Sequence, residues 1–240
     1  MEHEIMGIPF INMTKKEFID GELIPRLDKQ EQTTVVTANP EIVMKTRENS
    51  TYKQVVQASD YVCPDGIGII YAAKLMKRPL TERIPGIEVV DDLLHAANEK
   101  GYACYFLGAE ESVNEKAVAR IQEKFPQLHV SGRHHGFFDL EDASIAEEVA
   151  QTKPDIVFVA MGAPNQEFWI STYKELFNKG LFIGVGGSFD VYAGAVKRAP
   201  AFWMKLNLEW LHRIIVQPSR IIRIFSSIRF MFLVAIGKGK

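Results

Sequence analysis

From Thr33 onward, short unbroken apolar runs alternate with longer segments whose apolar residues recur every three or four positions. The short runs predict strands at 33–37 (TTVVT), 60–63, 103–107 (ACYFL), 129–132, 155–160 (DIVFVA) and 181–185 (LFIGV). The periodic segments predict helices between them. One opens at Asn39-Pro40 and runs through Arg47, and one follows Pro64-Asp65-Gly66 to about Lys77. Others cover 87–100, stopped by Gly101, then 112–124, 142–152, and the stretch from the GAPNQE loop to about Asn178. A strand that is apolar on both faces must be covered on both faces. The pattern therefore predicts an α/β fold with a mostly parallel sheet under helices on either side. No internal repeat and no low-complexity linker interrupts it.

The pattern changes near Val196. Residues 196–240 hold nine Lys or Arg and a single acid, Glu209, whereas the first 195 residues hold 19 basic and 29 acidic. An α/β core over 1–195 and a basic amphipathic helical appendage over 196–240 are expected. On a helical wheel Leu211, Ile214, Ile215, Ile221, Ile222, Phe225, Ile228 and Phe232 form one stripe. Arg213, Arg220 and Arg223 fall on the opposite side, with Arg229 at the stripe's edge. Pro218 divides the segment, so two helices with a kink or turn are expected. Trp203, Trp210, Phe230 and Phe232 read as interfacial anchors. A basic, apolar tail on an acidic body suits an anionic membrane surface. The alternative is a helix pair packed on the sheet with its arginines in water.

The remaining composition narrows the picture only a little. No apolar run approaches the ~18 residues of a membrane span, and no secretory leader is expected at MEHEIMGIPF. The protein should touch a membrane without crossing it, on the cytoplasmic face. Cys63 and Cys104 each lie in an apolar run and read as buried free thiols of a reducing compartment. Nucleic acid is not expected as a partner, and a homo-oligomer is compatible with the sequence.

In an open parallel sheet, ligands sit beyond the carboxyl ends of the strands, so the loops after the strands carry the chemistry. The richest is Gly184-Val185-Gly186-Gly187-Ser188-Phe189-Asp190. Its glycines let backbone N–H groups approach an anion, and Asp190 is placed for a ribose hydroxyl; a tight packing turn is the alternative. Neither GxGxxG nor GxxxxGK[ST] is present, which argues against a nicotinamide site or a P-loop. Asp65 follows an apolar strand, where a partly desolvated carboxylate can act as a general base or cap the next helix. Thr37 and Asn39 hold the same place after the first strand, and Asn39 also suits an N-cap. Arg83 is a lone cation in a Pro/Gly loop that could meet a phosphate or stay at the surface. His134-His135 lack the spacing of a metal pair, and no Asp-x-Asp exists to hold Mg²⁺ or Mn²⁺ on a diphosphate. No metal and no cofactor are expected; cations or backbone amides would stabilise a leaving diphosphate.

TANPEIV, PDGIGI, RIPGIE, FLGA, GAPNQEFW, GVGGSFDVYAG, KRAP and LEWLHRIIVQPSR occur in this order. The set resembles the WecG/TagA/CpsF family, glycosyltransferase family 26, from about Thr33 to Arg223. The resemblance implies an inverting transferase with a Rossmann-like fold and a C-terminal appendage that docks on the membrane and lends arginines to the site. It further implies a UDP-sugar donor and an undecaprenyl-diphosphate-linked acceptor. Transfer of N-acetylmannosamine to undecaprenyl-diphospho-N-acetylglucosamine, the linkage unit of wall teichoic acid, is the expected reaction. By that resemblance Asp65 is the base, with Thr37 beside it. Asn39, Arg83, Gln166, Gly186, Gly187 and Asp190 line the donor pocket, and Arg213, Arg220 and Arg223 are the appendage arginines. His212 stands where an aromatic is expected. UDP-N-acetylmannosaminuronic acid or UDP-glucose as donor, or a non-catalytic nucleotide-sugar or lipid-binding module, are the rival readings.

Overall fold

A computed structural model describes residues 2–197, 200, 202–203, 211 and 221–237. Its centre is a six-stranded parallel sheet made of β3 (Thr33–Ala38), β4 (Tyr61–Pro64), β5 (Ala103–Gly108), β6 (His129–His134), β7 (Ile156–Ala160) and β8 (Leu181–Gly184). The strands lie in the order β4-β3-β8-β7-β5-β6, with every pairing parallel. All residues of β3, β5, β7 and β8 are buried, which explains the apolar runs of β5, β7 and β8 and the β-branched Thr and Val of β3.

Alternate strand residues feed two faces. Val35, Cys104, Phe106, Ile156 and Phe158 pack beneath α5 (Gly86–Lys100), α6 (Glu111–Lys124) and α9 (Ser188–Tyr192). On the other face Tyr105, Leu107, Val157 and Val159 pack with α7 (Ser144–Gln151) and α8 (Asn165–Tyr173). Val36 and Val62 there meet α2 (Pro40–Glu48), α3 (Ser50–Gln57) and α4 (Ile67–Leu75). The neighbours β3 and β8 thus send their following helices, α2 and α9, to opposite faces. Such a divergence marks the strand-end crevice in which open α/β sheets bind their ligands.

Three elements were not foreseen. An antiparallel hairpin, β1 (Glu2–Ile5) and β2 (Ile8–Ile11), turns through Met6 and Gly7, both at positive φ. A π-helical segment, Glu17–Leu23, runs into α1 (Ile24–Asp28) and buries Phe18, Leu23 and Leu27. The helix α3 follows α2 with Asn49 as its cap, its side chain accepting from the Tyr52 N–H at 2.9 Å. Elsewhere the bounds shift by a few residues. β6 extends to His134, α7 begins at Ser144, and α8 ends at Tyr173 before a short 3₁₀ turn.

The tail's last helix, α10 (Ile221–Ala235), lies against α2 and α4. Phe230 is fully buried and, with Val234, joins the cluster formed by those helices and the hairpin. The sequence expectation for Phe230 is therefore corrected: it belongs to the core and is no interfacial anchor. Phe225, Ile228 and Phe232 form a ridge on the opposite side, exposed at 67%, 60% and 60%. Arg229 pairs with Glu48 of α2 at 2.5 Å. The expected first tail helix, the kink at Pro218 and Trp210 fall outside the described residues. Among those residues no helix is long and apolar enough to cross a membrane.

Candidate active site

The carboxyl ends of β3, β4 and β8 converge. Thr37 pairs in register with Cys63 and Ala38 with Pro64, and the Asp65 N–H continues the ladder to the Ala38 carbonyl at 3.0 Å. Asp65 is half-buried at the rim of the crevice. The cap of α4 is Gly66, at φ +99°, so Asp65 does not occupy the capping position. Gly66 lies beside Asn39 and Pro40, and a side chain at Gly68 would come within 2.8 Å of the Pro40 ring. The loops after β3 and β4 are thereby packed into one wall.

Thr37 is buried, and its hydroxyl donates to the Gly184 carbonyl at 3.2 Å, which joins the ends of β3 and β8. The helix α5 begins directly over it. A Cβ at Gly86 would lie 2.8 Å from Thr37 Oγ1, so only glycine lets the helix start so close. The loop before α5, which carries half-buried Arg83, is tied down by the Ile84 N–H to the Pro64 carbonyl at 2.9 Å. Arg83, Asp65 and Thr37 thus border one region, and the positive end of the 15-residue α5 faces it.

Asn39 is the N-cap of α2, its Oδ1 accepting from the Ile42 N–H at 3.1 Å. On the opposite wall Gly186 sits at φ +48°, with open space where a side chain would be. Gly187 caps α9, which carries half-buried Asp190 on its first turn. No hydrogen bond engages the Asp190 carboxylate among the described residues. Gln166 is buried, and its amide is held at both ends. Its Oε1 accepts from the Gly186 N–H at 3.0 Å and its Nε2 donates to Glu167 Oε1 at 2.7 Å. It reaches the glycine loop without opening onto the crevice. Of the appendage arginines, Arg223 lies on the first turn of α10, while Arg213 and Arg220 lie outside the described residues.

Sequence reasoning passed over the groups that brace this site. Glu167 is 2% exposed and also accepts from Tyr52 of α3 at 3.0 Å. Burial raises its carboxyl above the ordinary 4.5, although the bonds from Gln166 and Tyr52 act the other way. Asn114 of α6 is buried, and its Nδ2 lies within bonding distance of the carbonyls of Phe106, Gly108 and His134, joining the ends of β5 and β6. A Gln-Glu pair inside a loop motif and an Asn on an amphipathic helix carry no periodic signal. Only the fold shows that they turn inward. Cys63 and Cys104 are buried free thiols, each raised by burial. The rings of His134 and His135 lie 4.4 Å apart, tilted by 39°, and no cluster of three metal-ligating side chains exists among the described residues.

The site therefore has a carboxylate at the rim of a strand-end crevice, a helix N-terminus and an arginine on one side, and an open glycine loop on the other. Such an arrangement can place a carboxylate beside a bound anionic leaving group. The sequence matches the glycosyl transferase WecG/TagA/CpsF family over residues 3–240, and the chain belongs to that family. Over 240 residues it is 38% identical to an N-acetylglucosaminyldiphosphoundecaprenol N-acetyl-beta-D-mannosaminyltransferase of Staphylococcus aureus, covering 99% of this chain and 93% of that protein. A protein of the same name from Bacillus spizizenii is 37% identical over 222 residues, covering 92% of this chain and 86% of the relative.

Proposed function

We propose that this chain transfers N-acetylmannosamine from a UDP donor to undecaprenyl-diphospho-N-acetylglucosamine, with inversion at the anomeric carbon. The observation that carries this reading is the near full-length likeness to mannosaminyltransferases, with Asp65 at the mouth of the strand-end crevice. In a single displacement the acceptor 4-hydroxyl attacks C1 from the face opposite the diphosphate. The new C–O bond forms as the bond to UDP breaks. Asp65 takes the hydroxyl proton, and the electron pair leaves on the UDP oxygen. Arg83 and the amino end of α5 offset the growing charge on the diphosphate, joined by Arg213, Arg220 and Arg223 from the appendage. Asn39, Gly186, Gly187 and Asp190 hold the nucleotide end of the donor, and Thr37 steadies the acceptor side next to Asp65.

The reaction runs on the cytoplasmic face of a membrane that carries the lipid acceptor. The exposed ridge of α10 enters the lipid, with the basic residues of the appendage above it. No divalent metal takes part, because protein cations and backbone amides fill that role.

Transfer in the presence of excess EDTA, run with UDP-N-acetylmannosamine, UDP-N-acetylmannosaminuronic acid and UDP-glucose in parallel, tests these points together. Full activity with the first donor alone is expected. Loss of turnover restored by Mg²⁺ or Mn²⁺ would overturn the metal-free reading, and preference for another donor would overturn the sugar.

A further inference from the structure

We propose that Glu167, held by Tyr52, is a positioning residue that orients the Gln166 amide and so fixes the glycine loop against which the donor docks. The inference rests on the transferase reading above for its ligand, but its geometry stands on the fold. A glutamine amide has nearly the same shape either way round, so its neighbours decide which end is oxygen. Here Glu167 Oε1 faces Nε2 at 2.7 Å, which turns Oε1 toward the Gly186 N–H at 3.0 Å. Flipped, the amide would set donor against donor at Gly186 and oxygen against carboxylate at Glu167. Tyr52 occupies the second carboxylate oxygen at 3.0 Å, which leaves Glu167 anchored to α3. Lys45 of α2 is the positive charge felt at the carboxylate; it binds the Ala163 carbonyl at 2.6 Å and Glu41 at 3.1 Å.

The relay explains a second, independent feature. A side chain at Gly184 would come within 2.5 Å of Gln166 Nε2 and 3.0 Å of Glu167 Oε1. The strand must end in glycine because the amide and carboxylate fill that space. The Gly184 carbonyl in turn accepts from Thr37, so the relay reaches the wall that carries Asp65. A buried carboxylate is costly and is a poor choice where packing alone is required. The three bonds of the relay instead give the loop a single setting.

Exchanging the two residues tests this. In Gln166→Glu two buried carboxylates face each other and the relay breaks. Adding Glu167→Gln restores every bond and reverses the polarity of the 166–167 bond alone: a carboxylate at 166 accepts from Gly186 and from the amide N–H of 167, and the amide oxygen of 167 accepts from Tyr52. Hydrogen exchange across 181–190 and the donor KM and kcat are the readouts, with thermal melting as a control. Loss of one such bond is expected to raise loop exchange and donor KM about ten-fold in Gln166→Glu, and the double variant should return both to within about three-fold of wild type. A double variant that melts like wild type yet keeps fast exchange or a high KM would overturn the proposal. Should Gln166→Glu fail to fold, the double variant decides alone by the same readouts. The exchange arm needs no donor, so a protein that ignored UDP-sugars while showing the rescue would contradict the transferase reading and leave the relay standing.

Discussion

Asp65→Asn is expected to lower transfer about 100-fold or more, the usual scale of general base catalysis, while UDP binding changes little. The substitution keeps the shape of the side chain and removes its negative charge and with it the capacity to accept the proton. The Asp65 N–H bond to Ala38 belongs to the backbone, and the cap of α4 is Gly66. A fall in kcat at saturating donor and acceptor, with unchanged UDP affinity by calorimetry, would assign the base. Near-normal kcat would show that the proton goes elsewhere.

The second large effect concerns α10. Two of its faces are apolar, and they should respond in opposite ways. Replacing Phe225, Ile228 and Phe232 with serine removes the exposed ridge and leaves Phe230 and Val234 in place. Full burial of one such side chain contributes roughly 1.5–3 kcal/mol, so partial insertion of three should make binding to anionic phospholipid vesicles about 100-fold weaker on removal. Stability should shift by only about 0.5 kcal/mol per site, as for other exposed positions. Phe230→Ala should instead cost about 3–5 kcal/mol of stability, because the ring fills the joint with α2 and α4. Binding of the wild type should weaken with salt, since the basic appendage over 196–240 is opposite in charge to the lipid. A triple variant that binds vesicles like wild type would remove the ridge from the account.

The strand-helix alternation was legible because both faces of the sheet are buried, which makes β5, β7 and β8 almost wholly apolar and fills β3 with β-branched residues. The loops after them were legible for the same reason, since a parallel sheet puts its chemistry at the strand ends. The hairpin was not. Its strands are four residues long, and its turn is Met-Gly, a weak signal beside the usual Asn-Gly. The tail shows a limit of helical periodicity. The wheel grouped Phe225, Ile228 and Phe232 correctly, but an apolar stripe does not say which side meets protein. The burial of Phe230 depends on α2 and α4, which are distant in sequence. The role of Gln166 was legible only in part. Its place in the site follows from the loop, whereas the bonds that hold its amide come from Gly186 and from Glu167 beside it, which Tyr52 of α3 braces in turn.

The account's central claim is tested most directly by one product analysis. The full-length protein is supplied with UDP-N-acetylmannosamine and a polyprenyl-diphospho-N-acetylglucosamine, and the lipid-linked disaccharide is examined by NMR for its linkage and anomeric configuration. A β(1→4)-linked N-acetylmannosamine is the predicted result. An α-linked product or hydrolysis of the donor without transfer would contradict a single inverting displacement assisted by Asp65, and transfer to another hydroxyl would contradict the 4-hydroxyl as the attacking group.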